Sequence, residues 1–222
     1  MPNTHTPSAS TDTPAPYKAA LEIPIPVPRL THSFRLVCDL EAVRSVGEGL
    51  HGDGGQFNWI NFTGGHFTGS WGHGEIVCVA YSFLPSLFLP LPLLPQDLTA
   101  PQGPSAGGQD AQHIMPSSHP SSPLAAQLST RYLLRTSDGI FIQVQTRGWR
   151  IGPPSVLQAL SSAAREGYDG RVPGPEEYKF RLCVEMETDS RNERYAWLNT
   201  SMWVGSGVRS GRQVIYDAYL IE

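Results

Sequence analysis

Asp110, Arg131 and Glu187 are the side chains of this 222-residue sequence whose types suit proton transfer and anion binding. Tyr132, Trp197 and Asn199 lie beside them in sequence and could contact a ligand. In a small barrel, alternate residues of each strand point inward, so Arg131 and Leu133 oppose Tyr132 and Leu134. By the same rule Tyr195, Trp197 and Asn199 share one face of a predicted strand, Tyr195–Val204. An inward Arg, Glu and Asn are costly unless they meet one another or a ligand. Such a set would hold a carboxylate or enolate on Arg131 while Asp110 or Glu187 moves a proton. The competing reading is a structural Arg–Glu pair tying strands together.

Other chemistries find little support. The seven histidines show neither HxH nor HExxH spacing, so no metal is expected. No GxSxG elbow is present. Gly205-Ser206-Gly207 lacks the lysine and following helix of a phosphate loop and reads as a strand bend. Three cysteines, Cys38, Cys78 and Cys183, suit neither a disulfide framework nor a thiolate zinc site, and point to a reducing, cytoplasmic setting. A net charge of −4 leaves no basic surplus for nucleic acid. No cofactor is implied; the expected partner is a small organic ligand, with oligomeric state open. The five tryptophans either plug the core and barrel ends or line a cavity for a flat ligand.

The elements that must position these groups are mostly strands. His32–Leu40 alternates apolar and polar residues, and Phe57–Phe62 is a second short strand. Arg131–Thr136 and Ile140–Thr146 flank Ser137-Asp138-Gly139, a strong hairpin signal. Tyr178–Glu187, Tyr195–Val204 and Gln213–Ile221 complete the set. Pro154–Ala164 is the one convincing helix, with Val156, Leu157, Leu160 and Ala164 on one face. Short strands, glycine turns and one helix predict an all-β fold, a closed barrel or sandwich. Val77–Leu94 has the length of a short membrane span, but Pro85, Pro90 and Pro92 interrupt it, so no membrane insertion is expected. Nor does the N-terminus show a secretory signal.

Several motifs together resemble the DUF3237 (UPF0311) family. They are Gly64-Gly65, Gly107-Gly108-Gln109-Asp110, the run Arg131–Gly139, Gly148-x-Arg150-x-Gly152-Pro153, Tyr178-Lys179-Phe180-Arg181, Glu187-Thr188, Tyr195–Asn199 and Val204–Arg209. The resemblance implies a single antiparallel barrel of lipocalin- or streptavidin-like appearance with one short helix, and carries no established reaction. Two departures stand out. Ala111 replaces a Trp, and Ser129 an Asp, so one ligand-contacting aromatic and one carboxylate would be missing.

The domain reading is a proline-rich, disordered tail over 1–30 and a barrel domain over 31–222, interrupted by an irregular insertion at 78–106. Joining Val77 to Gly107 restores the family spacing. The insertion is either a short intron read in frame or a tolerated surface loop. The functional expectation is a barrel acting on a small aromatic or polyketide-like molecule by isomerisation, cyclisation or dehydration. Its rivals are a non-catalytic ligand-binding barrel and an interaction module with a filled interior.

Overall fold

A computed structural model describes residues 23–48, 55–77, 108–115, 123–165 and 167–222. The strands are β1 (Leu30–Leu40), β2 (Arg44–Glu48), β3 (Gln56–Gly69), β4 (Gly72–Val77), β5 (Gly108–Met115), β6 (Leu124–Thr136), β7 (Phe141–Gly152), β8 (Lys179–Thr188), β9 (Trp203–Ser210) and β10 (Gln213–Ile221). A helix, α1 (Pro154–Ala163), follows β7, and a single 3₁₀ turn spans Ala196–Thr200. Every pairing is antiparallel, and the sheet closes because β1 bonds to β10 on one edge and to β3 on the other. The ring runs β1, β3, β5, β6, β7, β8, β9, β10, an eight-position barrel with room inside for side chains or one small ligand. No helix among the described residues is long and apolar enough to cross a membrane.

β4 and β5 occupy one position in that ring. Both lie between β3 and β6, with Val77 opposite Leu133 and Gly108 opposite Tyr132, the next residue along β6. Alternation also runs through the junction, since Ile76, Gly108, Asp110 and Gln112 are all buried. The two segments are thus halves of one strand whose register is continuous against β6 and slips by one residue against β3. Residues 78–107, which include the whole of the expected insertion, lie outside the described residues, as does the expected tail up to residue 22. Of the tail, Ile23, Ile25 and Val27 are exposed and precede β1 without forming a helix or strand.

Two-residue alternation builds the interior. On β6, Ala126, Leu128, Tyr132 and Leu134 are buried, while Gln127, Ser129, Arg131 and Arg135 face out. β3 switches parity partway: Ile60 and Phe62 point in before the switch and Phe67 after it. The register slips at the same place, between Asp39/Gly64 and Leu40/Phe62, which marks a bulge. Gly65 there has φ +140°, and a Cβ would stand 2.2 Å from the Val37 carbonyl oxygen, so only glycine fits.

One end of the barrel is closed by aromatics. Trp71 stacks on Phe67 at 5.1 Å and meets Phe34 and Tyr195 edge-on. The indole N–H groups of Trp71 and Trp203 both donate to Ser33 Oγ, at 3.1 and 3.2 Å. The opposite end carries α1, which turns Leu157 and Leu160 inward.

The expected strand Tyr195–Val204 is instead the 3₁₀ turn followed by β9 from Trp203. Alternating Tyr195, Trp197 and Asn199 imitate a strand, but their polar groups act locally. Asn192 Oδ1 accepts from the Arg194 and Tyr195 amides, and Tyr195 Oη donates to Asp138 at 2.9 Å. These bonds satisfy the backbone without a neighbouring strand. α1 ends one residue before the expected Ala164, and β3, β6 and β7 run well beyond their expected ends.

Candidate functional site

A layer of polar side chains crosses the barrel interior between the aromatic plug and α1. β5 contributes Asp110 and Gln112, β3 Asn58, β7 Thr146 and Arg150, and β9 Arg209, all buried. Each sits at an inward parity position of its strand. Gln112 bridges the layer: its Nε2 donates to Asp110 Oδ2 at 2.6 Å, and its Oε1 accepts from Arg150 Nη2 at 3.3 Å. Arg209 donates from Nε to the Gly211 carbonyl at 3.2 Å, and its amide donates to Tyr178 Oη at 2.8 Å. Four buried polar atoms, Asp110 Oδ1, Asn58 Oδ1, Arg150 Nε and Arg209 Nη2, make no hydrogen bond within the chain.

Below this layer is a small enclosed cavity of about 30 Å³, walled in part by Asp110, Thr130, Tyr132, Thr146 and Tyr216. Thr130 and Thr146 join hydroxyls at 2.6 Å. The Tyr132 and Tyr216 hydroxyls bond to each other. Gly108 makes room for this wall, since a Cβ there would lie 2.5 Å from Tyr132 Cβ. Apolar Phe62, Leu128, Phe180 and Leu182 complete it.

Burial sets the electrostatics. It raises the Asp110 carboxyl above its ordinary pKa, and the Gln112 hydrogen bond and the two guanidinium charges offset this only in part. Burial lowers Arg150. It also lowers Arg209, helped by repulsion from Arg150, to about 10. Tyr132 is pushed well up and Tyr216 also rises, again mainly through burial, so both hydroxyls stay protonated. Asp110 is a buried carboxyl that shares its cavity wall with the Thr130, Tyr132, Thr146 and Tyr216 hydroxyls.

The sequence-derived site is divided by the barrel wall. Asp110 and Tyr132 face the interior. Arg131 faces out and donates to Gln145 Oε1 at 2.9 Å. Glu187 is also exposed, in an outer polar trough with Glu185 and Asn199. Asn199 is a structural cap: its Oδ1 accepts from the Thr188 amide at 2.7 Å and its Nδ2 donates to the Thr188 carbonyl. Trp197 sits outside the interior, its ring 5.9 Å from Trp203. Arg131, Glu187, Trp197 and Asn199 therefore do not join Asp110, because odd parity on β6 and β8 and the 3₁₀ turn carry them outward. The expectation that Ala111 and Ser129 remove groups from the site is corrected too. They are cross-strand partners at positions alternate to the inward set, so neither borders the polar layer.

Arg150, Arg209, Gln112, Asn58 and Tyr216 were missed. Arg150 shares the inward parity of Ile142, Val144 and Thr146, and Arg209 that of Gly205 and Gly207, so extending the two strands would have found both. A groove of about 750 Å³ lies outside the barrel along Leu30, Trp149, Cys183, Val204 and Tyr219. Among the described residues its lining has Arg147 and Arg181 but no carboxyl. Among the described residues no three His, Cys, Asp or Glu side chains gather closely enough to hold a metal ion.

Comparison with known proteins gives the same architecture. The UPF0311 protein of Bradyrhizobium diazoefficiens is 29% identical over 114 residues, which are 51% of this chain and 65% of that protein; the match thus spans just under two thirds of that relative's length. A β-barrel-like protein of Acinetobacter baumannii superposes with a TM-score of 0.60 at 29% identity, covering 90% of this chain and 100% of the other. An enzyme from Penicillium herquei superposes with a TM-score of 0.52 at 16% identity, covering 90% and 98%, which is a likeness of fold alone. The profile of the family described as proteins of unknown function, DUF3237, matches residues 28–83 and 102–221. With most of its length matched and the barrel closed as described, the chain belongs to the DUF3237 family.

Proposed function

We propose that the barrel interior is a general acid–base site for a small aromatic or polyketide-like molecule, with Asp110 as the proton-transferring group. The observation that carries this reading is the buried Asp110 carboxyl, with Oδ1 unbonded and its pKa raised. A carboxyl whose pKa is raised is a better base once ionised and keeps its proton to a higher pH than an exposed one. As carboxylate it takes a proton from carbon beside a carbonyl; as acid it returns one to another atom of the same molecule. That sequence is an isomerisation, and the same two transfers serve cyclisation or dehydration. The Penicillium herquei protein of the same fold is described as an enzyme, so a barrel of this shape is compatible with catalysis. The small interior cavity favours a second reading, a filled barrel that performs no chemistry.

Deuterium exchange at the methylene of benzoylacetone, an aromatic 1,3-diketone, separates the two. The native chain is expected to accelerate exchange in D₂O over buffer. Asp110→Asn should lower that acceleration by about 10²–10⁴ while its circular dichroism stays native. Native protein that leaves the exchange rate at the buffer value sinks the acid–base reading and leaves the filled barrel standing.

A further inference from the structure

We propose that Arg150 and Arg209 form an anion-binding pole of the interior site, so that its ligand is a small organic anion, a carboxylate or enolate on an apolar body. The inference rests on the interior being the ligand site and names the class of ligand. Every other arginine among the described residues is exposed, whereas these two are each 3% exposed. An uncompensated buried guanidinium is expensive, and proteins keep such groups where an anion meets them.

Among the described residues Asp110 is the one carboxyl whose charge acts on both arginines, so a single group faces two guanidiniums. Arg150 reaches Asp110 only through Gln112, which stands between them and satisfies one group of each. Arg209 spends its Nε on the Gly211 carbonyl. What is left over is Arg150 Nε and Arg209 Nη2, two buried donors on strands flanking β8. A carboxylate or enolate supplies acceptors that a neutral molecule lacks, and charged donors favour such acceptors strongly. The cavity beside Asp110 is mostly apolar, with Phe62, Leu128, Phe180 and Leu182 in its wall, but at about 30 Å³ it must widen by side-chain movement before an organic anion can reach the two arginines.

The pole also complements Asp110. Developing negative charge on a carbonyl oxygen, as a C–H proton leaves to the carboxylate, would be met by the guanidinium donors. The pole thus provides ground-state recognition of an anion and stabilisation of an enolate through the same two side chains.

Calorimetric titration with benzoate and with benzamide, which is nearly the same shape and uncharged, tests the assignment. The native chain should bind benzoate at least tenfold more tightly than benzamide. Arg150→Gln and Arg209→Gln should each remove most of that preference, and Arg131→Gln, which deletes an outward charge, should keep it. Should either interior variant fail to fold, the comparison of the two probes on native protein still decides. Benzoate that binds no more tightly than benzamide, including binding of neither, overturns the proposal, as do folded interior variants that retain the preference. Failure of benzoylacetone exchange with the benzoate preference intact would remove the acid–base chemistry and leave the anion pole in place.

Discussion

Arg131 and Arg150 carry the same group and meet opposite fates. One lies at an odd position of β6, with its charge in water and a glutamine amide for a partner. The other lies at an even position of β7, within the polar layer. Truncating an exposed arginine of this kind changes stability by no more than about 0.5 kcal/mol. Arg131→Ala should therefore melt with the native chain and leave benzoylacetone exchange unaltered; a clear loss in either would place Arg131 in the site after all. Of the six side chains that the sequence nominated, Asp110 and Tyr132 lie in the interior. Alternation placed Arg131 and Tyr132 on opposite faces without saying which face points in, and the barrel turns Tyr132 inward and Arg131 outward. What sequence could not show was depth: Asn58, Gln112, Arg150 and Arg209 become one layer only through the stagger of four different strands.

At the scale of elements, strand identity was the legible part. β1, β8 and β10 fall within a residue or two of their expected bounds, and the Asp-Gly hairpin joins β6 to β7 with Gly139 at φ +85°. Strand length was less legible, because the bulge in β3 changes the inward parity and breaks the alternation that a pattern search follows. The Tyr195–Asn199 stretch failed for the reverse reason, since its alternation is genuine but serves caps and a turn. The junction of β4 and β5 carries the sharpest expectation. Val77 and Gly108 already hold consecutive places against Leu133 and Tyr132. A chain lacking residues 78–107, with Val77 joined to Gly108, should form one unbroken strand there. We expect it to keep the native circular dichroism and to melt at or above the native temperature. An unfolded product would mean that the barrel needs residues 78–107. This seam is one residue longer than the 78–106 segment that the spacing suggested.

Over the whole molecule, charge is arranged by depth. Surface carboxylates such as Asp138, Glu177, Asp189 and Asp217 are held below their usual range, chiefly by hydrogen bonds and by nearby arginines. Their support for the fold is complete above the unfolded carboxylate value and is lost as pH falls, with Asp189 titrating at about 2. Asp110 works in the opposite sense. Its folded pKa is raised, so the folded state holds the proton more tightly than the unfolded chain. Stability is then given up as pH climbs from the unfolded value of about 4 through the raised folded value. Asp110→Asn should consequently gain on the native chain in melting temperature as pH rises from 4 toward 7. A difference that is flat with pH would show Asp110 to be ordinary. The single ring position shared by β4 and β5 has one more consequence. Since β3 and β6 grip both halves independently, the peptide link between them is dispensable to the assembly. Two polypeptides, 1–77 and 108–222, produced together should find each other and reconstitute the barrel, making this seam a place to attach split reporters that signal when the halves meet.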